Sequence, residues 1–251
     1  MSSCHRKSPY VERIYPTSDS IPQNILRMYV QFSTPMKTID NFENIKLYDA
    51  EAQEVKGAIF KNVNELWNDD QTQLTLIFDP ARVKTGLKAH DSLGRALRSG
   101  EFYELQVTNL TDIHHQKIDG PVKKKFYVTT ADTISPDMTK WTLISPKVNT
   151  RTPLVLIFSE IVDQMSLHQR LLVIKEKEET VPGSIAITSE EKEWHYIPKE
   201  NWLPGNYAVH INASLEDPSG NNLNGLFEHP INSLKYKNED EILTITFEVN
   251  E

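Results

Sequence analysis

Apolar residues recur at every second position in short stretches along this chain, and those stretches are separated by Pro, Gly, Asn and Asp. In the first half the pattern predicts strands at Leu26–Phe32, Ile45–Tyr48, Val55–Phe60, Leu74–Phe78, Phe102–Val107 and Phe126–Val128. Met28, Val30 and Phe32 share one face, as do Leu74, Leu76 and Phe78. In the second half it predicts strands at Leu154–Phe158, Leu171–Ile174, Ser184–Ile187, Glu193–Ile197, Tyr207–Ile211 and Leu243–Val249. The last of these alternates Leu243, Ile245, Phe247 and Val249 with polar residues, the mark of a strand with one wet face. Helical spacing is scarce: Asn62–Trp67 and Ser166–Leu171 each suit one turn. The segment Ile14–Asn24 carries Pro16, Ser18, Asp19, Ser20 and Pro22 and reads as turns. The expected fold is all-β, built from antiparallel sandwiches.

The pattern occurs twice. Phe32-Ser33 recurs as Phe158-Ser159, and Val55-x-Gly57-x-Ile59 recurs at the same offset as Val181-x-Gly183-x-Ile185. Gly100, Tyr103, Leu105 and Val107 return as Gly205, Tyr207, Val209 and Ile211, and Leu110-Thr111-Asp112 as Leu215-Glu216-Asp217. Shared order over this length predicts two tandem domains of one fold. The 251 residues suit two domains of roughly 120 each. The expected organisation is a flexible polar tail at 1–12, a first domain at 13–130, a linker at 131–140 and a second domain at 141–251. The first domain carries a long inserted loop, 79–100, where the second has only Pro198–Gly205.

Composition narrows the function. The net charge is −8, which argues against nucleic acid or anionic lipid as the main partner, because both repel a negative surface. The single cysteine, Cys4, permits no intrachain disulfide, so both cores must stand on packing. No apolar run approaches the roughly 20 residues of a membrane helix. Met1-Ser2-Ser3-Cys4 is similar to the end of a lipoprotein signal, without the apolar stretch that precedes one. An ordinary start is the preferred reading; a lipid anchor at Cys4 is expected only if the chain is a truncated precursor.

These landmarks resemble the bacterial immunoglobulin-like (Ig-like) domain family of S-layer and other surface proteins. The resemblance rests on Phe32-Ser33-Thr34-Pro35-Met36, on Phe158-Ser159-Glu160 and on the late loop Leu215-Glu216-Asp217-Pro218-Ser219-Gly220-Asn221. It covers about Val11 to Val249. The first copy departs at the late loop, reading Leu110-Thr111-Asp112-Ile113-His114-His115 without Gly-Asn. The resemblance implies tandem Ig-like β-sandwiches and a periplasmic or surface-exposed place in the cell envelope, with a spacer or accessory role. Phe32 and Phe158 would fill the cores, and Ser33 and Ser159 would satisfy backbone groups where a strand ends.

Catalytic signatures are absent from the sequence. It holds no Gly-x-Ser-x-Gly elbow, phosphate loop or dinucleotide fingerprint, and the carboxylates lie mostly in runs of the kind that form solvated faces. No enzymatic activity and no cofactor is expected. His114-His115 with Asp112 or Asp119, and the oxygens of Asp217, Asn221, Asn222 and Asn224, are weak candidates for copper or calcium; loop and turn roles are preferred, and no metal site is assigned. Trp67, Trp141, Trp194 and Trp202 suit core packing better than a sugar-stacking platform, with Trp67 and Trp194 in related places of the two copies. The loop 79–100 is locally basic, so Arg82, Lys84, Lys88, Arg95 and Arg98 are the candidate binding residues for an acidic partner. The reading is a non-enzymatic envelope module acting as a spacer or protein-binding module, its partner an unknown protein or polysaccharide. The alternatives are a carbohydrate-binding module and a metal-binding periplasmic sandwich.

Overall fold

Period-two patterning folds here as sheet, with side chains pointing alternately into a core and out to solvent. The computed structural model describes residues 8–38, 41–61, 64–83, 94–175, 179–227 and 241–250. The chain divides into two compact units, Met1–Asp132 and Thr133–Glu251. Among the described residues no helix is long and apolar enough to cross a membrane.

The first unit contains β1 (Val11–Tyr15), β2 (Ser20–Pro22), β3 (Arg27–Phe32), β4 (Ile45–Tyr48), β5 (Leu66–Trp67), β6 (Gln73–Ile77), β7 (Phe102–Val107) and β8 (Val122–Thr129). They form two four-stranded sheets in the orders β1-β3-β6-β5 and β2-β8-β7-β4. The second unit contains β9 (Thr142–Ile144), β10 (Leu154–Ile157), β11 (Leu171–Lys175), β12 (Glu179–Thr180), β13 (Gly183–Thr188), β14 (Glu193–Pro198), β15 (Gly205–Asn212) and β16 (Ile242–Val249). Its sheets run β13-β14-β10-β9 and β12-β11-β15-β16. Every strand pair is antiparallel except β2–β8, which is parallel. In each unit the first, second, fifth and fourth main strands form one sheet, and the third, sixth and seventh belong to the other. That is the strand order of an Ig-type sandwich.

Each unit has its own core. In the first, Met28, Val30, Phe32, Leu74, Leu76, Leu105, Phe126 and Val128 are buried between the sheets. In the second, Leu154, Leu156, Phe158, Val173, Trp194, Val209, Ile211 and Val249 are. The inward faces predicted from the alternation are buried, except that Leu243 and Ile245 of the last strand are half-buried. Trp202 fills the second core among Tyr207 and Phe247, with ring centroids 5.2 and 6.0 Å away, and its indole N–H donates to the Thr152 carbonyl (2.8 Å). Trp194 is fully buried, and its indole N–H has no partner among the described residues.

The structure differs from the sequence pattern in four places. Val55–Phe60 is not a strand. Val55 N–H donates to Leu47 O (2.8 Å), Gly57 then turns at φ +67°, and only Ile59 bridges to Phe78. The left-handed glycine breaks the extended run. The edge of this sheet is instead β5, inside the segment predicted as a helical turn. β1 and β2 occupy a segment expected to be tail and turns. A register shift between Val11 and Arg13 marks a bulge that hides the alternation of β1. Finally, Trp67 and Trp194 are not equivalent. Trp194 pairs with Leu156 on the β10 side of its sheet, whereas Trp67 lies on an edge strand opposite Leu74. The helical turn in the second unit is Gln164–Gln169, capped by the Asp163 carboxylate, which accepts from Ser166 N–H (3.0 Å).

Candidate interaction site

An open groove of about 630 Å³ runs along the first unit. One wall is β1 and the segment after it: Val11, Glu12, Arg13, Ile14, Thr17 and Asp19. The other is β7 and β8: Phe102, Val122, Lys123, Lys124, Lys125 and Phe126. The topology explains why it is there. After β1 the chain leaves the first sheet and joins the second as β2, which covers β8 only over Tyr127–Thr129. The preceding part of β8 has β7 on one side and, among the described residues, no strand on the other. β1 is likewise an edge strand. The groove therefore lies between two strand edges.

Hydrogen bonds set the direction of the open backbone groups. Val128 N–H donates towards β7, to Glu101 O (2.9 Å), and Tyr127 N–H donates the other way, to Asp19 O (2.7 Å). Alternate residues of a strand present their amides to alternate sides, so Lys123 and Lys125 turn theirs to the groove with Tyr127. Their side chains are exposed, while Phe126 is buried beneath them. Lys124 points inward. Its ammonium donates to Thr17 O (3.1 Å) and Ser18 O (3.0 Å), pinning the segment that crosses between the sheets.

The groove wall carries four basic residues and two acidic ones, although the chain as a whole is at −8. Beyond the wall, Glu104 meets Lys123 at 2.9 Å. That contact, with the Gln106 amide, holds the Glu104 carboxyl below the usual carboxylate range. The sequence reading passed over this basic group. The run Lys123-Lys124-Lys125 was a visible signal; that Arg13 stands on the facing wall was not.

The described parts of the loop, 79–83 and 94–100, are tied to the same unit. Val83, Ala96 and Leu97 are buried in the core. Arg82 donates to the carbonyls of Lys56 (2.8 Å), Gly94 (3.2 Å) and Arg95 (3.3 Å), and Arg95 donates to Val83 O (3.2 Å). Arg98 is exposed, and its backbone N–H donates to the Tyr103 hydroxyl (3.1 Å), which donates to Glu101 Oε2 (2.9 Å). Burial pushes the Tyr103 hydroxyl up to about 12. Lys84 and Lys88, like Cys4 and the start of the N-terminal segment, lie outside the described residues.

The other candidates resolve into turns and packing. Asp112 Oδ1 accepts from the N–H groups of His114 and Gln116 (2.8 Å each). Asp217 Oδ1 accepts in the same way from Ser219 (2.7 Å) and Asn221 (3.0 Å). His115 adopts φ +66° where Gly220 adopts φ +80°, so the first copy builds this turn without the Gly-Asn pair. The Lys37 ammonium donates to His115 Nδ1 (2.9 Å). Among the described residues no group of three or more His, Cys, Asp or Glu is placed to hold a metal ion. Trp67 packs on Phe32 at 5.7 Å and Trp141 on Phe158 at 4.9 Å. With Trp194 and Trp202 buried, none of the four indoles is exposed. Ser33 meets its backbone expectation, accepting from Tyr10 N–H (3.0 Å). Ser159 does not: its hydroxyl donates to Glu160, whose other oxygen accepts from the Trp141 indole (3.0 Å).

No family model matches the chain, and no curated protein matches it. Solved structures do. The N-terminal part of the bacterial S-layer protein SbsC is similar over 81% of this chain and 40% of its own, at 10% identity and a TM-score of 0.34. Native α2-macroglobulin from Escherichia coli, spanning domains MG0-NIE-MG1, is similar over 82% and 66%, at 12% identity and a TM-score of 0.30. A chimeric titin Z1Z2 is similar over 97% and 96%, at 11% identity and a TM-score of 0.30. The chain thus spans less than half of the SbsC structure and about two thirds of the α2-macroglobulin one. The Ig-type assignment rests on strand order and register, not on these likenesses.

Proposed function

We propose that this chain is a non-enzymatic module of a bacterial cell envelope, working as a spacer or protein-binding module by surface contact alone. The observation that carries the reading is the groove of the first unit. It is a built opening between two strand edges, with apolar residues at its base and a basic rim. The resemblance of the Phe-Ser and Asp-x-x-Gly-Asn motifs to bacterial surface Ig-like domains supports the envelope location. The basic loop is a second proposed contact for an acidic partner. Arg82 and Arg95 are engaged with backbone carbonyls, so charge reversal at Arg98 is its cleaner test.

A photo-crosslinking side chain at Lys123, introduced in the producing cells, tests the reading. The expected result is a discrete protein adduct in the envelope fraction at Lys123 and none at the exposed control Glu51. Recovery of the chain in the cytosol, or no adduct at Lys123, overturns it.

A further inference from the structure

We propose that the groove takes an extended, acidic peptide segment of the partner protein, which adds as a strand along the open edge of β8. The proposal rests on the groove being a protein-contact site and names the chemistry of what fills it.

Three observations converge. The amides of Lys123 and Lys125 face the groove, and among the described residues no strand pairs with them there. A row of alternating N–H and C=O groups is complementary to another peptide backbone; a sugar or a lone anion does not repeat at that spacing. Second, β2 already pairs with β8 at Tyr127–Thr129, so an added segment continues an existing ladder along the neighbouring stretch of β8. The volume of about 630 Å³ lies within the roughly 300–1,000 Å³ of ligand sites. Third, the side chains prescribe a pattern. Lys123 and Lys125 project on the exposed face of β8, two residues apart, and Arg13 is exposed on the opposite wall. Ile14 and Phe126 are buried below. Side chains of a strand alternate between faces. An occupant with carboxylates at alternate positions sets them against Lys123, Lys125 and Arg13, and its intervening apolar residues against Ile14, Val122 and Phe126. The favoured motif is acidic–apolar–acidic.

The probe is the blocked peptide acetyl-Ser-Glu-Val-Glu-Val-Glu-Ser-amide, titrated into the full chain by NMR and calorimetry. Slowed hydrogen exchange at the Lys123 and Lys125 amides is expected on binding. Affinity is expected to fall about tenfold or more in the double variant K123E/K125E, with an intermediate loss in K123Q/K125Q. Lys124 is left alone because it pins the crossing segment. A peptide N-methylated at alternate residues keeps the charge and loses the ladder, so its binding is expected to vanish. Absence of binding at millimolar peptide overturns the proposal. Equal binding by the N-methylated peptide or by dextran sulfate also overturns it, showing a site for polyanions without strand pairing. If the Lys123 crosslink forms in cells and the peptide result is negative, the strand proposal falls while the protein-contact reading stands. If the crosslink is absent, that reading falls first.

Discussion

β8 and β16 are the last strands of their units, and they end their sheets differently. β8 is flanked on its outer side by β2 over Tyr127–Thr129, whereas β16 has only β15 beside it among the described residues. The other edges contrast as well. β5 has two residues where β13 has six. Both units cover the Phe of the Phe-Ser motif with an indole that donates to a glutamate: Trp67 to Glu65 and Trp141 to Glu160, each at 3.0 Å. Yet Trp67 comes from the strand at one edge of its sheet and Trp141 from the segment leading into the strand at the other. One strand order thus tolerates different edges. The central strands fix the core, and the edges vary because they touch fewer partners. The groove arises from this edge variation: a chain that changes sheets after β1 leaves part of β8 uncovered.

The comparison can be broken most sharply at its centre. Phe32→Ala and Phe158→Ala are each expected to cost about 3–5 kcal/mol. Because each Phe belongs to its own core, each substitution is expected to lower a separate transition in urea unfolding of the full chain. A shared transition that moves equally in both variants would contradict independent cores. Next come the late loops. Asp217→Ala and Asp112→Ala each orphan two backbone amides; those of Ser219 and Asn221 are buried and cost about 1–3 kcal/mol each, while those of His114 and Gln116 are only part-buried and cost less. Asp217 also accepts from the Asn221 side chain (2.8 Å), so it is expected to cost more; thermal unfolding would show the reverse order if the turns were not equivalent.

A smaller effect separates the residues holding positive φ. Gly220→Ala is expected to destabilise by about 1–2 kcal/mol, and His115→Gly to stabilise by about 1 kcal/mol or less. Chemical denaturation of the two single variants measures both, and the same sign in both would refute the paired-turn account. The smallest is an alkaline effect on the first unit. The Tyr103 hydroxyl is raised from 10.0 to about 12, so between those values the unfolded chain has lost a proton that the folded chain keeps. Stability from this group is complete below pH 10 and declines as pH rises towards 12. Tyr103→Phe is expected to flatten that decline, as read from the thermal midpoint against pH; an unchanged slope would remove Tyr103 as its source.

Much of the sheet was legible locally. The bounds of β4 and β7 are those the alternation predicts, and Phe32, Phe158, Leu74 and Leu76 are buried as their spacing requires. β1 was not legible, because its bulge breaks the period. β5 was not, because two residues carry no period at all. The candidate site was partly visible. The basic loop was conspicuous by composition, but composition does not show that Arg82 and Arg95 spend their donors on backbone carbonyls. The lysine run of β8 was equally plain in the sequence, with nothing beside it to mark a groove.

By itself, the sequence determined which residues turn inward, since a strand exposes its faces by strict alternation and water rejects apolar side chains wherever they fall. It also determined that both halves follow one plan. Only the tertiary structure decided which edges remain open. The bond from Lys124 to Thr17 joins residues 107 positions apart, and a contact of that span depends on the path of the chain between sheets. No local pattern encodes it, because the residues that would reveal a gap are the ones that do not meet.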